Sequence, residues 1–106
     1  TRLLCEKFTK INIKTTFQSR FGPQEWLQPY TDKTLEVLPK EGKKNVLVIC
    51  PGFSSDCVET LEEISIQGKK SFLDRGGKNF DVVPCLNDGE DHINLLKHLT
   101  ERYFVK

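Results

Sequence analysis

The sequence has no methionine, one tryptophan, two histidines and almost no net charge, and each shortage narrows what it can do. A formal net charge of +1 leaves no compositional case for nucleic acid or for an anionic membrane surface. The four cysteines (Cys5, Cys50, Cys57 and Cys85) are widely separated, with no C-x-x-C pair and no secretory signal beside them, which suits a reducing compartment. Cys50 and Cys85 each end an apolar run and read as small buried hydrophobes. His92 and His98 lie six residues apart, so they do not share a helix face and read as exposed or capping side chains. Nucleophilic catalysis finds little support, because Cys57 has no neighbouring histidine and the serines stand in loop contexts. Pro51-Gly52 and Gly76-Gly77 match neither a P-loop nor G-x-G-x-x-G. No apolar stretch is long enough to span a bilayer, although peripheral contact stays open.

What is present is one domain's worth of ordinary chain: 106 residues, 37% hydrophobic and 29% charged. Residues 1–8 share an apolar face through Leu3, Leu4 and Phe8, as the tail of a helix would. Residues 11–18 alternate through Ile11, Ile13, Thr15 and Phe17, the period of a strand. Residues 19–29 form a loop punctuated by Gly22-Pro23 and Pro29. A helix is expected over 31–41, capped by Thr31 or Asp32, with Leu35 and Leu38 inward, Gly42 as its stop and Pro39 disturbing its last turn. A strand over 45–50 leads through Pro51-Gly52 into a long helix over 56–73 that Gly76-Gly77 ends. A third strand covers 80–85, and Pro84 marks its edge or its end. A last helix over 90–104 buries Ile93, Leu96, Leu99 and Phe104 or their neighbours. Alternation of this kind implies an α/β fold with a parallel sheet and right-handed crossovers. Three strands are few for such a sheet, and the chain starts inside an element, so a fragment of a longer protein is expected.

In open α/β sheets ligands sit at the carboxyl ends of the strands. Three loops should share that rim: 19–26, 51–56 and 86–89. On the helix after the second strand, α-helical spacing puts Val58, Leu61, Ile64, Gly68 and Phe72 on one side and Asp56, Glu59, Glu63 and Gln67 on the other. These acids are either a solvated face, with Asp56 and Glu59 as a D-x-x-E cap, or a carboxylate ridge that accepts protons or guides a cation. The loop from Gln18 to Trp26 offers a similar choice. Trp26 and Leu27 either cap the domain's own core or, beside Arg20, form a platform for a flat apolar ligand with acidic groups.

Two long motifs in the right order are more specific. QSRFGPQEWLQPYTDKTL (residues 18–35) and KNVLVICPGFSSDCVETLEEI (residues 44–64) resemble the C-terminal half of bacterial ferrochelatases, and the similarity continues through FLDRGGKNFDVVPCLND (residues 72–88). The resemblance implies a Rossmann-like three-layer α-β-α domain with a small parallel sheet, spanning residues 1–106 as the C-terminal chelatase-like domain of a two-domain enzyme. It implies insertion of Fe2+ into protoporphyrin IX to give protoheme, in the cytoplasm or peripheral to the inner membrane, with the N-terminal half of the same enzyme as partner. Glu59 would match the family's active-site glutamate, as proton acceptor or metal relay, and Glu63 a second acid on the metal path. Gln18, Ser19, Arg20 and Trp26 would fall on the loop lining the porphyrin cleft. Iron enters as substrate; no cofactor and no iron–sulfur cluster are expected. Two departures stand out: Cys57 occupies a position that is histidine in some members, and Gln67 shortens the acidic ridge. The family's essential histidine corresponds to neither His92 nor His98 and would lie before Thr1. Other readings of the same residues are a porphyrin-binding module without catalysis and a chelatase for another metal or tetrapyrrole.

Overall fold

Two phenylalanines mark the point where the helices meet the sheet. Phe72 (0% exposed) and Phe80 (4%) pack with ring centroids 5.8 Å apart and planes inclined by 46°, an arrangement that the ring quadrupoles favour over a face-to-face stack. The computed structural model describes residues 1–104. Along it run α1 (Arg2–Lys7), α2 (Thr31–Val37), β1 (Asn45–Val48), a π-helix (Glu59–Gly68) continuing into α3 (Lys69–Asp74), β2 (Asn79–Val82) and α4 (Glu90–Phe104). β1 and β2 pair in parallel, from Asn45 opposite Asn79 to Val48 opposite Val82. The π-helix and α3 supply the crossover that a parallel pair requires.

Strand alternation sorts the side chains of β1. Val46, Val48 and Cys50 turn toward the core of Leu35, Ile64, Phe72 and Phe80, whereas Leu47 and Ile49 stay exposed. Among the described residues the sheet therefore has helices on one face: a small α/β unit, with a two-stranded parallel sheet. Gly77 owes its identity to this core. A Cβ built on it would fall 2.2 Å from the Phe72 ring, inside the space the ring fills.

Several expectations need correction. Residues 11–18 form no strand; their one β-bridge pairs Phe17 with Tyr30, through Phe17 N–H to Pro29 O (2.9 Å) and Thr31 N–H to Phe17 O (3.1 Å). Their alternation reflects half-burial of Ile13 and Phe17, and a pattern of burial does not by itself provide a pairing partner. The helix expected over 31–41 is regular only over Thr31–Val37, because Pro39 has no N–H to donate and its ring is fully buried. Irregular turns follow and close when Lys43 N–H reaches Leu38 O (2.9 Å), with Gly42 at φ +83°. β2 ends at Val82, two residues before Pro84. Cys50 and Cys85 are half-buried. Ile93, Leu96, Leu99 and Phe104 are exposed, because no described element packs along α4, whose one buried residue is His92.

Candidate functional site

The segment after β1 turns at once, with Phe53 N–H on Cys50 O (3.1 Å), and delivers Asp56 to the rim. The carboxylate of Asp56 accepts the Thr60 hydroxyl on Oδ1 (2.8 Å) and the Asn87 side-chain amide on Oδ2 (2.8 Å). These two bonds to the ionised form, the one from Asn87 first, hold its pKa below the usual aspartate value of 3.8. The expected cap does not form: Asp56 takes no helix backbone N–H and instead accepts the Thr60 side chain, and Glu59 does not fold back on it as a D-x-x-E cap would require. Burial, together with the negative Asp56 nearby, pushes the Cys50 thiol up. Cys85 is also pushed up, by burial foremost and then by its hydrogen bond to Asp56 and the charge of that carboxylate.

From Glu59 the chain winds with i→i+5 backbone bonding, seen where Lys69 N–H reaches Ile64 O, and the Ser65 hydroxyl adds a side-chain bond to Thr60 O (2.8 Å). Wider winding changes which residues face inward. Thr60, Ile64, Gly68 and Phe72, each four apart, form the buried stripe. Val58 and Leu61, expected inside on α-helical spacing, are 67% and 54% exposed. Glu59 and Glu63 run alongside the buried stripe as half-buried side chains, while Gln67 is exposed.

The second wall comes from the chain after Phe17. Gln18 donates from Nε2 to Glu63 Oε2 (3.0 Å), and the Ser19 hydroxyl donates to Glu59 Oε2 (2.6 Å). Each acid thus has one oxygen fixed by a neutral donor. Arg20 turns the other way: Nη2 bonds Asp32 Oδ2 at 2.7 Å, and the guanidinium lies 4.2 Å over the Tyr30 ring. Trp26 donates from Nε1 to Phe21 O (2.6 Å) and remains 44% exposed, with Leu27 at 68%, so neither side chain caps the core.

Gln18, Ser19, Arg20, Phe21, Trp26, Glu59 and Glu63 line one open groove of about 400 Å³. One wall is aromatic and the other carries two carboxylates, a shape and polarity suited to a flat apolar ligand met by a proton acceptor or a cation. Among the described residues no group of three or more His, Cys, Asp or Glu side chains is placed to hold a metal ion. A smaller groove of about 240 Å³ over α2, bordered by Lys14, Tyr30 and Lys33, has no acid pair and none of the candidate site residues read from the sequence. His92 is buried, and its Nδ1–H donates to Asn87 O (2.6 Å); it is not part of the groove.

Phe21, Thr60 and Asn87 went unnoticed in the sequence. Asn87 had a signal, since asparagine before Asp88-Gly89 favours a left-handed turn residue, and its φ is +50°. Thr60 had one too, since it stands four residues before Ile64, on the same face under α-helical spacing.

The family model described as Ferrochelatase matches residues 1–103. A ferrochelatase of Rhizobium johnstonii is 58% identical over 103 residues, covering 95% of this chain and 30% of the relative. One of Vibrio vulnificus is 61% identical over 94 residues (88% of this chain, 30% of the relative), and one of Teredinibacter turnerae 54% over 101 residues (93% and 28%). The chain spans about three-tenths of the length of these curated relatives. With a family model matched along nearly its whole length and these identities beside it, the chain belongs to the ferrochelatase family.

Proposed function

We propose that the chain is the C-terminal, acid-bearing part of a ferrochelatase that inserts Fe2+ into protoporphyrin IX. The observation that carries this reading is the single groove in which Glu59 and Glu63 face Trp26 and Phe21. Metalation releases two pyrrole protons as Fe2+ enters the ring from one face, so the site must supply a base and a path for a dication. Glu59 is the proton acceptor and Glu63 the next acid along the metal path. Two carboxylates are too few donors to retain an ion, which fits passage better than storage. Ser19 and Gln18 point the acids by binding one oxygen of each and leave the other free. Arg20 borders the porphyrin side, and its bond to Asp32 fixes its position.

The same reading assigns a Rossmann-like three-layer arrangement to the longer protein, in which further chain, the N-terminal half, covers the bare Leu47 and Ile49 face and closes the groove. No described helix is long and apolar enough to cross a membrane. A cytoplasmic protein that touches the inner membrane through exposed Phe21 and Leu27 fits a lipid-soluble substrate. The test is iron insertion by the full-length protein with Glu59→Gln, which should cut turnover by about a hundredfold or more, the scale on which general bases act. Near-normal turnover in that variant would remove Glu59 from the reaction, and porphyrin binding without any metalation by the wild-type protein would leave a binding module.

A further inference from the structure

Asp56 and Asn87 meet across the carboxyl ends of the two strands and exchange hydrogen bonds. Asp56 N–H donates to Asn87 Oδ1 (2.8 Å), and Asn87 Nδ2 donates back to Asp56 Oδ2 (2.8 Å). Cys85 N–H reaches that second oxygen at 3.3 Å, and the first takes the hydroxyl of Thr60, which is 1% exposed. Asn87 is held in turn: its N–H bonds Ser54 O (2.9 Å) and its carbonyl accepts His92 Nδ1–H (2.6 Å). A continuous series of bonds therefore runs from the first turn of α4 through Asn87 and Asp56 to Thr60, the residue after Glu59. Neither Asp56 nor Asn87 lines the groove.

The position of this clamp gives it a directional effect. The far end of the π-helix is anchored by Ile64, Gly68 and the buried Phe72 beyond it. Its near end, where Glu59 sits, has no buried apolar side chain; Thr60 is the buried residue there, and its hydroxyl is fixed by Asp56. A reciprocal amide–carboxylate pair fixes rotation as well as distance, which one capping bond does not.

We propose that Asn87 is a positioning residue for metal insertion: by clamping Asp56 it orients the first turn of the π-helix and aims the Glu59 carboxylate into the groove. The proposal rests on the ferrochelatase reading and adds to it a residue outside the groove. Loosening the clamp swings Glu59 and leaves the aromatic wall in place, so it should affect the chemical step and spare porphyrin binding.

The experiment uses the full-length protein. Asn87→Gly keeps the left-handed backbone, which glycine adopts freely, and removes only the amide. Iron-insertion kcat should fall between about tenfold and a hundredfold, as small misplacements of reacting groups do, with the porphyrin KM within about twofold of wild type. The second arm exchanges the pair. Asp56→Asn and Asn87→Asp each break the clamp, and the two together restore an amide opposite a carboxylate, losing only the weaker contact from Cys85. The double variant should regain activity beyond either single one. Unchanged kcat in Asn87→Gly, kcat and porphyrin affinity falling together, or a double variant no better than the singles would each overturn the proposal. A wild-type protein unable to insert iron would overturn the ferrochelatase reading itself, and the proposal with it.

Discussion

Asp56 is an acid whose work depends on staying charged. Both of its carboxylate oxygens accept hydrogen bonds, from Asn87 and Thr60, and these hold its pKa below the usual 3.8. A carboxyl group with a depressed folded-state pKa contributes stability that is fully present above its unfolded value. That stability is lost as pH falls below about 3.8 and through the lower folded value. Asp56→Asn should therefore flatten the acid limb of stability between about pH 5 and about pH 2, while also lowering stability at neutral pH. Urea melts across that range, wild type against variant, check it; parallel acid limbs would contradict the account. Much at this scale was legible beforehand, because Asp56, Glu59, Glu63 and Trp26 stand in recognisable sequence contexts. The partners were not, since Asn87 and Ser19 lie 31 and 40 residues from the acids they bond, and local spacing carries no information about such pairs.

At the scale of the element, the crossover between β1 and β2 shows where periodicity misleads. The crossover helix, the two strands and their order followed from apolar spacing and from Gly76-Gly77, yet reading apolar positions alone put Val58 and Leu61 inside and passed over the polar Thr60, four residues before Ile64. Winding by i→i+5 is an outcome of packing and capping, and nothing in the composition of ETLEEISIQG announces it. Packing behind the same crossover is unforgiving. Phe72→Ala should cost about 3–5 kcal/mol, the range for emptying a buried aromatic site. Gly77→Ala should cost about 1–3 kcal/mol by overpacking against the same ring. Chemical denaturation of the two variants tests both, and a neutral Gly77→Ala would mean that the Phe72 ring moves aside freely.

The whole molecule is more extended than its length requires. Its Cα radius of gyration is 16.6 Å, against about 13 Å for a compact domain of this size. The difference lies in α1, which buries nothing, and α4, which buries only His92. A core of Leu35, Ile64, Phe72 and Phe80 has to hold the rest. Hydrogen exchange on this chain should accordingly show fast amides along α1 and the outer turns of α4, and slow ones in β2 and α3. Uniform protection would indicate that the apolar face of α4 is covered, for example by a second copy. The α/β class and the parallel pairing could be read from the order of elements. The missing third strand could not, because a strand exists only where another strand accepts its hydrogen bonds, and residues 11–18 have one bridge, to Tyr30.

Ser19 and Glu59 are separated by 40 residues, and Gln18 and Glu63 by 45. Closing a loop of that size costs on the order of 3 kcal/mol of chain entropy in its length-dependent part alone. A hydrogen bond at a wet surface returns about 1 kcal/mol. Neither bond can therefore bring the two walls of the groove together; the bridge at Tyr30 and the packing of α2 on α3 do that first. What the bonds then decide is direction: with the loops already closed at no expense to them, their whole free energy goes into choosing which way each carboxylate points.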